Sequence, residues 1–349
     1  MSARRLYVLV ALALAVTAGA IWLVARRPSQ RDADVGAAVL PGLAAALDRV
    51  ASLRLVGAGE RTLVTLTKND GEWVVVEAGY LADAARVRRV LVALGELHIQ
   101  EGKTQDPARY AALGVEDVGG AAAQSIRVEL GGLKAPVALL VGRAAGHDGS
   151  YVRVPGTAQA KEARPTLELA RTPDGWLART VVDLAPERVQ SVEVARSDGP
   201  AWRALRAGPD AAHFDVPGLP SGRELKQLAA ADGAAGVLAG LNFEELRRDG
   251  GGPGHARRDR AVVKSFDGLV VTLEGWAEGE QRWITIATRI DAAAAPRSPA
   301  AAAVPPAAGV LRGQEEALRI ERTTHGWQYR VPGYRYDSIF RKRDDVLRH

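Results

Sequence analysis

The chain's candidates for metal binding or proton transfer are six histidines: His98, His147, His213, His255, His325 and His349. A metal site legible in sequence needs ligands brought to one face, as in His-Glu-x-x-His on a helix. No two of these histidines lie four residues apart, so they read as scattered surface residues. Cysteine is absent, which excludes thiol nucleophiles, disulfide staples and thiolate metal centres. The richest glycine stretch is Gly250-Gly251-Gly252-Pro253-Gly254-His255. It lacks the Gly-Lys-Ser/Thr ending of a phosphate loop and joins no strand to a helix start, so a loop is expected there. No Gly-x-Ser-x-Gly or Ser-x-x-Lys motif occurs, and Ser150, between Gly149 and Tyr151, reads as a turn residue entering a strand. Asp344 and Asp345 are adjacent carboxylates of the kind that could do acid–base work, but neighbours on a helix do not face each other, so a solvated face or helix salt bridges explain them better. Arg247, Arg248, Arg257, Arg258 and Arg260 form a basic cluster, broken by Asp249 and Asp259. It reads either as a solvated loop or as an attractor for phospholipid headgroups or an acidic partner. The sequence thus assigns no catalytic, cofactor-binding or metal-ligating residue, and no cofactor.

Charge and hydropathy bear on placement more than on chemistry. The formal net charge of the 349 residues is +5, but Arg4, Arg5, Arg26 and Arg27 fall in residues 1–27, which hold no acid, leaving +1 for residues 28–349. A near-neutral remainder without recognition motifs argues against nucleic acid as a partner. Leu6 to Val24 is a run of 19 uncharged residues flanked by Arg pairs, with Tyr7 and Trp22 near its ends. As a helix it is roughly 28 Å long, close to the hydrocarbon thickness of a bilayer. Ala18-Gly19-Ala20 leaves a cleaved signal peptide as an alternative, and a buried soluble helix as another. Against cleavage, Ile21-Trp22-Leu23-Val24 continues the apolar run past that site. The expected arrangement is an uncleaved inner-membrane anchor through residues 6–24, with a short cytoplasmic tail and a periplasmic C-terminal domain.

The elements beyond the anchor point to an α+β fold with two similar units, each an antiparallel sheet plus a helix. The expected boundaries are 1–27 for the anchor, 28–54 for a linker and juxtamembrane helix, 55–165 and 185–335 for the units, and 336–349 for a C-terminal helix. In the first unit, strands Arg61–Thr67 and Glu72–Glu77 flank a turn at Asp70-Gly71. A helix follows over Ala82–Leu97, with Val87, Val90, Leu91 and Leu94 at helical spacing. Short strands then begin near Ser125, Val137 and Tyr151. In the second unit, Val189–Arg196 and Trp202–Arg206 flank Ser197-Asp198-Gly199, and a helix capped by Ser221 and Glu224 is expected to reach Leu241. Strands follow at Arg260–Ser265, Leu269–Glu274 and Arg282–Thr288. Thr67–Trp73 parallels Arg196–Trp202, and Val90–Leu94 parallels Val237–Leu241, which supports an internal repeat. Residues 291–309 are Ala/Pro-rich and read as a linker. A last hairpin is expected from Ala317–Arg322 and Trp327–Val331. Tyr336, Ile339, Phe340, Val346 and Leu347 would then form one helical stripe.

This order of features resembles the bacterial family classed as domain of unknown function 4340. The resemblance rests on the N-terminal apolar run, Gly71–Val74 leading into the helix, and Tyr110-Ala111-Ala112-Leu113-Gly114-Val115. Val141-Gly142, Gly149-Ser150-Tyr151-Val152-Arg153 and the ending Trp327–Pro332 followed by Tyr336 complete it. It implies no catalytic residues. It does imply an accessory envelope protein associated with gliding-motility-type ABC transport systems, with an ABC permease or other envelope proteins as partners. The expected function is therefore a membrane-tethered periplasmic interaction protein without catalysis. The alternative is an envelope hydrolase whose site is assembled by the fold.

Overall fold

The structure is a computed structural model and describes residues 34–219, 221–250, 258–291 and 306–348. The apolar run at 6–24, Gly251–Arg257 and residues 292–305 of the Ala/Pro stretch lie outside the described residues. No helix among the described residues is long and apolar enough to cross a membrane. The chain divides into two compact units, Met1–Ala178 and Arg179–His349. Both are α+β, built mostly from antiparallel sheet with few helices.

The first unit holds β1 (Ser52–Gly57), β2 (Arg61–Asn69), β3 (Glu72–Val75), β4 (Tyr80–Leu81), β5 (His98–Thr104), β6 (Ile126–Gly131), β7 (Val137–Ala145), β8 (Gly149–Arg153) and β9 (Ala160–Arg164). They form one sheet in the order β4-β3-β2-β1-β6-β7-β8-β9-β5. Asp70 and Gly71 adopt φ of 49° and 88°, the positive values a tight hairpin turn needs. Helix α1 (Ala84–Gly95) is capped by Asp83, whose carboxylate accepts from Arg86 N at 2.9 Å, and buries Val87, Val90, Leu91 and Leu94. A four-residue helix, α2 (Tyr110–Leu113), lies between β5 and β6.

Residues 34–57 differ from the expected linker and juxtamembrane helix. Gly36 N donates to Ile99 O and Val39 N to Leu97 O, both at 2.8 Å, so this segment lies along the outer edge of β5. Residues Ala44–Arg49 form 3-10 turns against α1, where a Cβ on Gly95 would come 3.2 Å from Ala44 Cα. β1 then enters the middle of the sheet, with Leu53 and Leu55 fully buried.

The second unit holds β10 (Thr180–Val182), β11 (Val189–Ala195), β12 (Trp202–Leu205), β13 (Leu241–Asn242), β14 (Glu245–Arg248), β15 (Asp259–Ser265), β16 (Leu269–Glu278), β17 (Gln281–Ile290) and β18 (Trp327–Val331). β10 pairs with β13, and the main sheet runs β12-β11-β15-β16-β17-β18-β14. Its lacing follows that of the first unit strand for strand. A hairpin comes first (β1–β2, β11–β12), then a helical segment and a strand that goes to the far edge (β5, β14). A four-strand meander (β6–β9, β15–β18) then starts beside the hairpin and ends on that edge strand. The Trp residues do not correspond, however. Trp73 lies on β3, outside the shared lacing, whereas Trp202 lies on β12, the counterpart of β2.

Three expected elements of this unit are corrected. Ser221 caps no helix; 3-10 turns span Leu228–Leu238 instead. Asp232 lies among them, accepting from Phe214 N at 3.0 Å, and Gly233 and Gly236 further weaken an α-helix. Ala317–Arg322 is not a strand but part of helix α3 (Pro306–Thr324), which also takes in the end of the expected linker. Gly313, Ala317, Ile320 and Thr324 are its buried stripe, and Thr288 Oγ1 on β17 donates to Ala317 O at 2.8 Å. The C-terminal helix is short: α4 (Gly333–Ile339) is followed by a 3-10 turn at Arg343–Asp345. Val346 and Leu347 reach the core from that turn, where Lys226 N donates to Val346 O at 3.0 Å.

Candidate functional site

In the first unit, three of the short motifs converge. Arg153, at the end of β8, is only 3% exposed. Its Nε donates to Val115 O at 2.9 Å, Nη1 to Thr157 O at 3.0 Å and Nη2 to Asp117 Oδ1 at 2.8 Å. The guanidinium lies 4.4 Å from the Tyr110 ring centroid, and the Tyr110 hydroxyl donates to Ala158 O. Gly114 closes α2 with φ 69°, and the following turn rests directly on Gly142 of β7. Ser150 is buried, and its hydroxyl oxygen accepts from Leu167 N at 3.0 Å. These residues hold the 110–117 turn against the sheet. Every nitrogen of the guanidinium is engaged, so the arrangement is a clamp. Replacing Arg153 with Met should destabilise the unit by about 3 kcal/mol, because Val115 and Thr157 carbonyls lose a charged donor. Arg153→Lys should restore only part of it, since an ammonium cannot reproduce the fork. Thermal unfolding of the three proteins checks this.

In the second unit, a polar cleft of about 320 Å³ is lined by Arg196, Asp198, Asp259, Arg282 and Tyr336, among others. Asp259, the first residue of β15, has a side chain only 7% exposed. Its Oδ1 accepts from Ser197 N at 2.9 Å and Ser197 Oγ at 3.0 Å, and its Oδ2 from the Tyr336 hydroxyl at 2.9 Å. Arg196 Nη1 stands 3.6 Å from Oδ2 and donates to Phe340 O at 2.9 Å. Burial pushes the Tyr336 phenol well above its ordinary range, and the Asp259 charge adds to this, so Tyr336 stays a donor. Asp198 binds Arg196 Nε at 2.6 Å and Lys342 Nζ at 3.1 Å. The Trp202 indole donates to Arg341 O at 2.8 Å. A carboxylate held by Ser197, Tyr336 and Arg196 is poorly placed to take a proton from a substrate. The chemistry of the cleft is adhesive: it fastens residues 336–342 to the hairpin end of the sheet.

The hydrogen bond from Arg196, then that from Lys342, holds the Asp198 carboxyl well below the usual carboxylate range. A carboxyl whose folded pKa lies below its unfolded value favours the fold above about pH 4, and this contribution is lost as pH falls through the folded value. With Asp198 45% exposed, solvent screening keeps the contribution below about 1 kcal/mol. Asp198→Asn should therefore flatten the acid limb of the unit's stability below about pH 4 and lower its stability only slightly at pH 7. Thermal unfolding between those pH values reads this out.

The other sequence candidates lie apart. His213 Nδ1 pairs with Asp232 Oδ2 at 2.7 Å, His325 stands 3.5 Å from Glu321, and His255 and His349 lie outside the described residues. Among the described residues no group of three His, Asp or Glu could hold a metal ion. Asp344 and Asp345 occupy the exposed 3-10 turn. Of the basic cluster, Arg247 and Arg248 lie on β14 and Arg260 on β15, while Arg258 immediately precedes β15. Arg247 stacks 3.9 Å from the Trp283 ring centroid and pairs with Glu278; Arg248 stacks 4.0 Å from Trp327. Arg258 lies over Trp276 at 5.2 Å and pairs with Glu274, while Arg257 is outside the described residues. Three of these cations thus cover tryptophans of their own sheet. Asp259, Tyr336 and Arg196 escape sequence reasoning because 63 and 77 residues separate Asp259 from the other two.

The fold and its two fastened clusters define an α+β protein of similarly laced antiparallel sheets. Residues 73–257, just over half the chain, match the family described as domain of unknown function (DUF4340), and the chain belongs to that family. The match begins at Trp73, includes α1 and the Arg153 clamp, and ends before β15. No curated protein and no solved structure matches the chain.

Proposed function

We propose that this protein is a membrane-tethered accessory component of the bacterial cell envelope. In this reading Leu6–Val24 is an uncleaved inner-membrane anchor, residues 28–349 are periplasmic, and the protein acts by binding envelope proteins, an ABC permease foremost, rather than by catalysis. The observation that carries it is the 19-residue uncharged run bounded by Arg pairs, which is long enough to span hydrocarbon. The self-paired groups of the Asp259 cleft support the non-catalytic half, and the family resemblance supports the permease.

The test has two arms. The full chain should resist carbonate extraction, keep its N-terminal residues, and make a C-terminal alkaline phosphatase fusion active. A mature N-terminus at Ile21, or activity only of a cytoplasmic-type reporter, would sink the tether. Gentle detergent isolation of the tagged full chain should yield a multi-spanning ABC permease, identified by mass spectrometry. Recovery of the chain without one would sink the partner.

A further inference from the structure

We infer that the first unit stands on the bilayer by the end that carries the loops at 105–109 and 154–159, and that the shortness of the tether, not lipid charge, keeps it there; this rests on the tether proposed above. Strand register sets the direction in which the chain leaves the unit. Val39 N donates to Leu97 O and Gly36 N to Ile99 O, both at 2.8 Å, so this segment runs antiparallel to β5. Followed toward its N-terminal side, it passes Ile99 and reaches Asp34, 3.6 Å from Lys161. Lys161 is the register partner of Gly102, two residues from the end of β5. The chain therefore emerges where β5 and β8 end and β9 begins. The two loops at this end are fastened into one platform. Gln105 Nε2 donates to Gln159 Oε1 at 2.8 Å, the Tyr110 hydroxyl to Ala158 O, and Arg153 Nη1 to Thr157 O at 3.0 Å.

Chain length turns this exit into an orientation. Six residues, Pro28–Ala33, separate Arg27 from Asp34, the first described residue. However arranged, they reach at most about 20 Å. The opposite end of the unit carries the β7–β8 turn at 146–148, on the side of the His98–Arg164 register pair. β5, seven residues from one end to the other, spans about 20 Å. Seating the opposite end on the headgroups lifts Asp34 by about that distance and uses up the whole tether. Seating the platform there uses almost none of it. The platform has no grip of its own on lipid. Residues 105–109 and 156–158 are all exposed, and none is a large apolar residue. Their one acid and one base, Asp106 and Arg109, stand 3.6 Å apart. Neither insertion nor attraction to anionic headgroups then holds this end in place, and the tether alone does.

The chain has no cysteine, so one introduced thiol takes one label. The full chain carrying Ala108→Cys or Ala158→Cys on the platform, or His147→Cys at the opposite end, is labelled with a fluorophore. It is then reconstituted into phosphatidylcholine vesicles containing a headgroup-nitroxide lipid. Positions 108 and 158 should lose most of their emission and position 147 little. Phosphatidylglycerol vesicles should give the same pattern. Inserting a Gly/Ser segment of about twenty residues between Ser29 and Gln30 should abolish the contrast, leaving all three positions weakly quenched. If position 147 is quenched as much as 108 and 158 in a chain that resists carbonate extraction, the orientation is wrong and the tether stands. A contrast that survives the insertion, or that appears only with phosphatidylglycerol, would show the platform held by lipid affinity and overturn the inference while leaving the tether. A chain stripped by carbonate overturns tether and orientation together.

Discussion

Removing residues 327–349 should unfold the second unit. β18 lies inside the sheet between β17 and β14, and β14 has no other strand partner there, so its loss detaches an edge as well as a strand. The same deletion takes away Tyr336, Ile339, Phe340, Val346 and Leu347, all at most 4% exposed. Each contributes roughly 1.5–3 kcal/mol when fully buried. Together they rival the whole stability of a domain, about 5–15 kcal/mol. A point substitution tests the same docking without shortening the chain. A Cβ on Gly275 of β16 would come 2.6 Å from Phe340 Cζ and 2.7 Å from Tyr336 Cε2. Gly275→Val must therefore displace α4, at a cost of at least the 1–3 kcal/mol typical of overpacking. Both proteins, made as residues 34–349, should lose or sharply lower the second unit's melting transition. An unchanged transition for the deletion would make this segment a detachable tail, and a partner site should then be sought on it.

Where one physical signal dominated, the sequence was legible. Four apolar residues at helical spacing located α1, and an Asp-Gly pair located the β2–β3 turn because few other pairs tolerate two positive φ values. Failures came where signals competed. In α3 the buried positions include Gly313 and Thr324, neither of which looks apolar. Gly313 is there because a Cβ would come 2.6 Å from Asp267 O. With those two positions discounted, Ala317–Arg322 reads as alternation. The Ala-rich stretch before Leu241 has helix propensity, yet Asp232 is committed to Phe214 N and His213, and a uniform helix is lost. β1 was missed because its place is set by pairing with β2 and β6, the latter some 75 residues away. The same nonlocality hides both clusters. Arg153 meets Val115 across 38 residues, and Asp259 meets Tyr336 across 77. No local spacing records such meetings.

Gly142→Ala should be among the most damaging single substitutions in the first unit, although it adds one methyl group. A Cβ at this position would fall 2.3 Å from Leu113 O, 2.7 Å from Gly114 O and 2.8 Å from Val115 Cγ1. Two of those atoms are backbone, which cannot rotate away as a side-chain tip does. The turn must lift off β7, and lifting it pulls Val115 O from Arg153 Nε. Overpacking of this kind costs about 1–3 kcal/mol, and a hydrogen bond to a charged donor about 1.5–3 kcal/mol more. The expected loss is therefore about 4 kcal/mol, with Gly142→Val worse. Because the two substitutions break one shared arrangement, they should not add: Gly142→Ala combined with Arg153→Met should cost clearly less than the separate losses together. Amide exchange should accelerate from Tyr110 to Val118 in each single variant and in the double. Strict additivity, or a neutral Gly142→Ala, would mean that the turn is held by its own helix and cap, and that the three converging motifs do not act as one clamp.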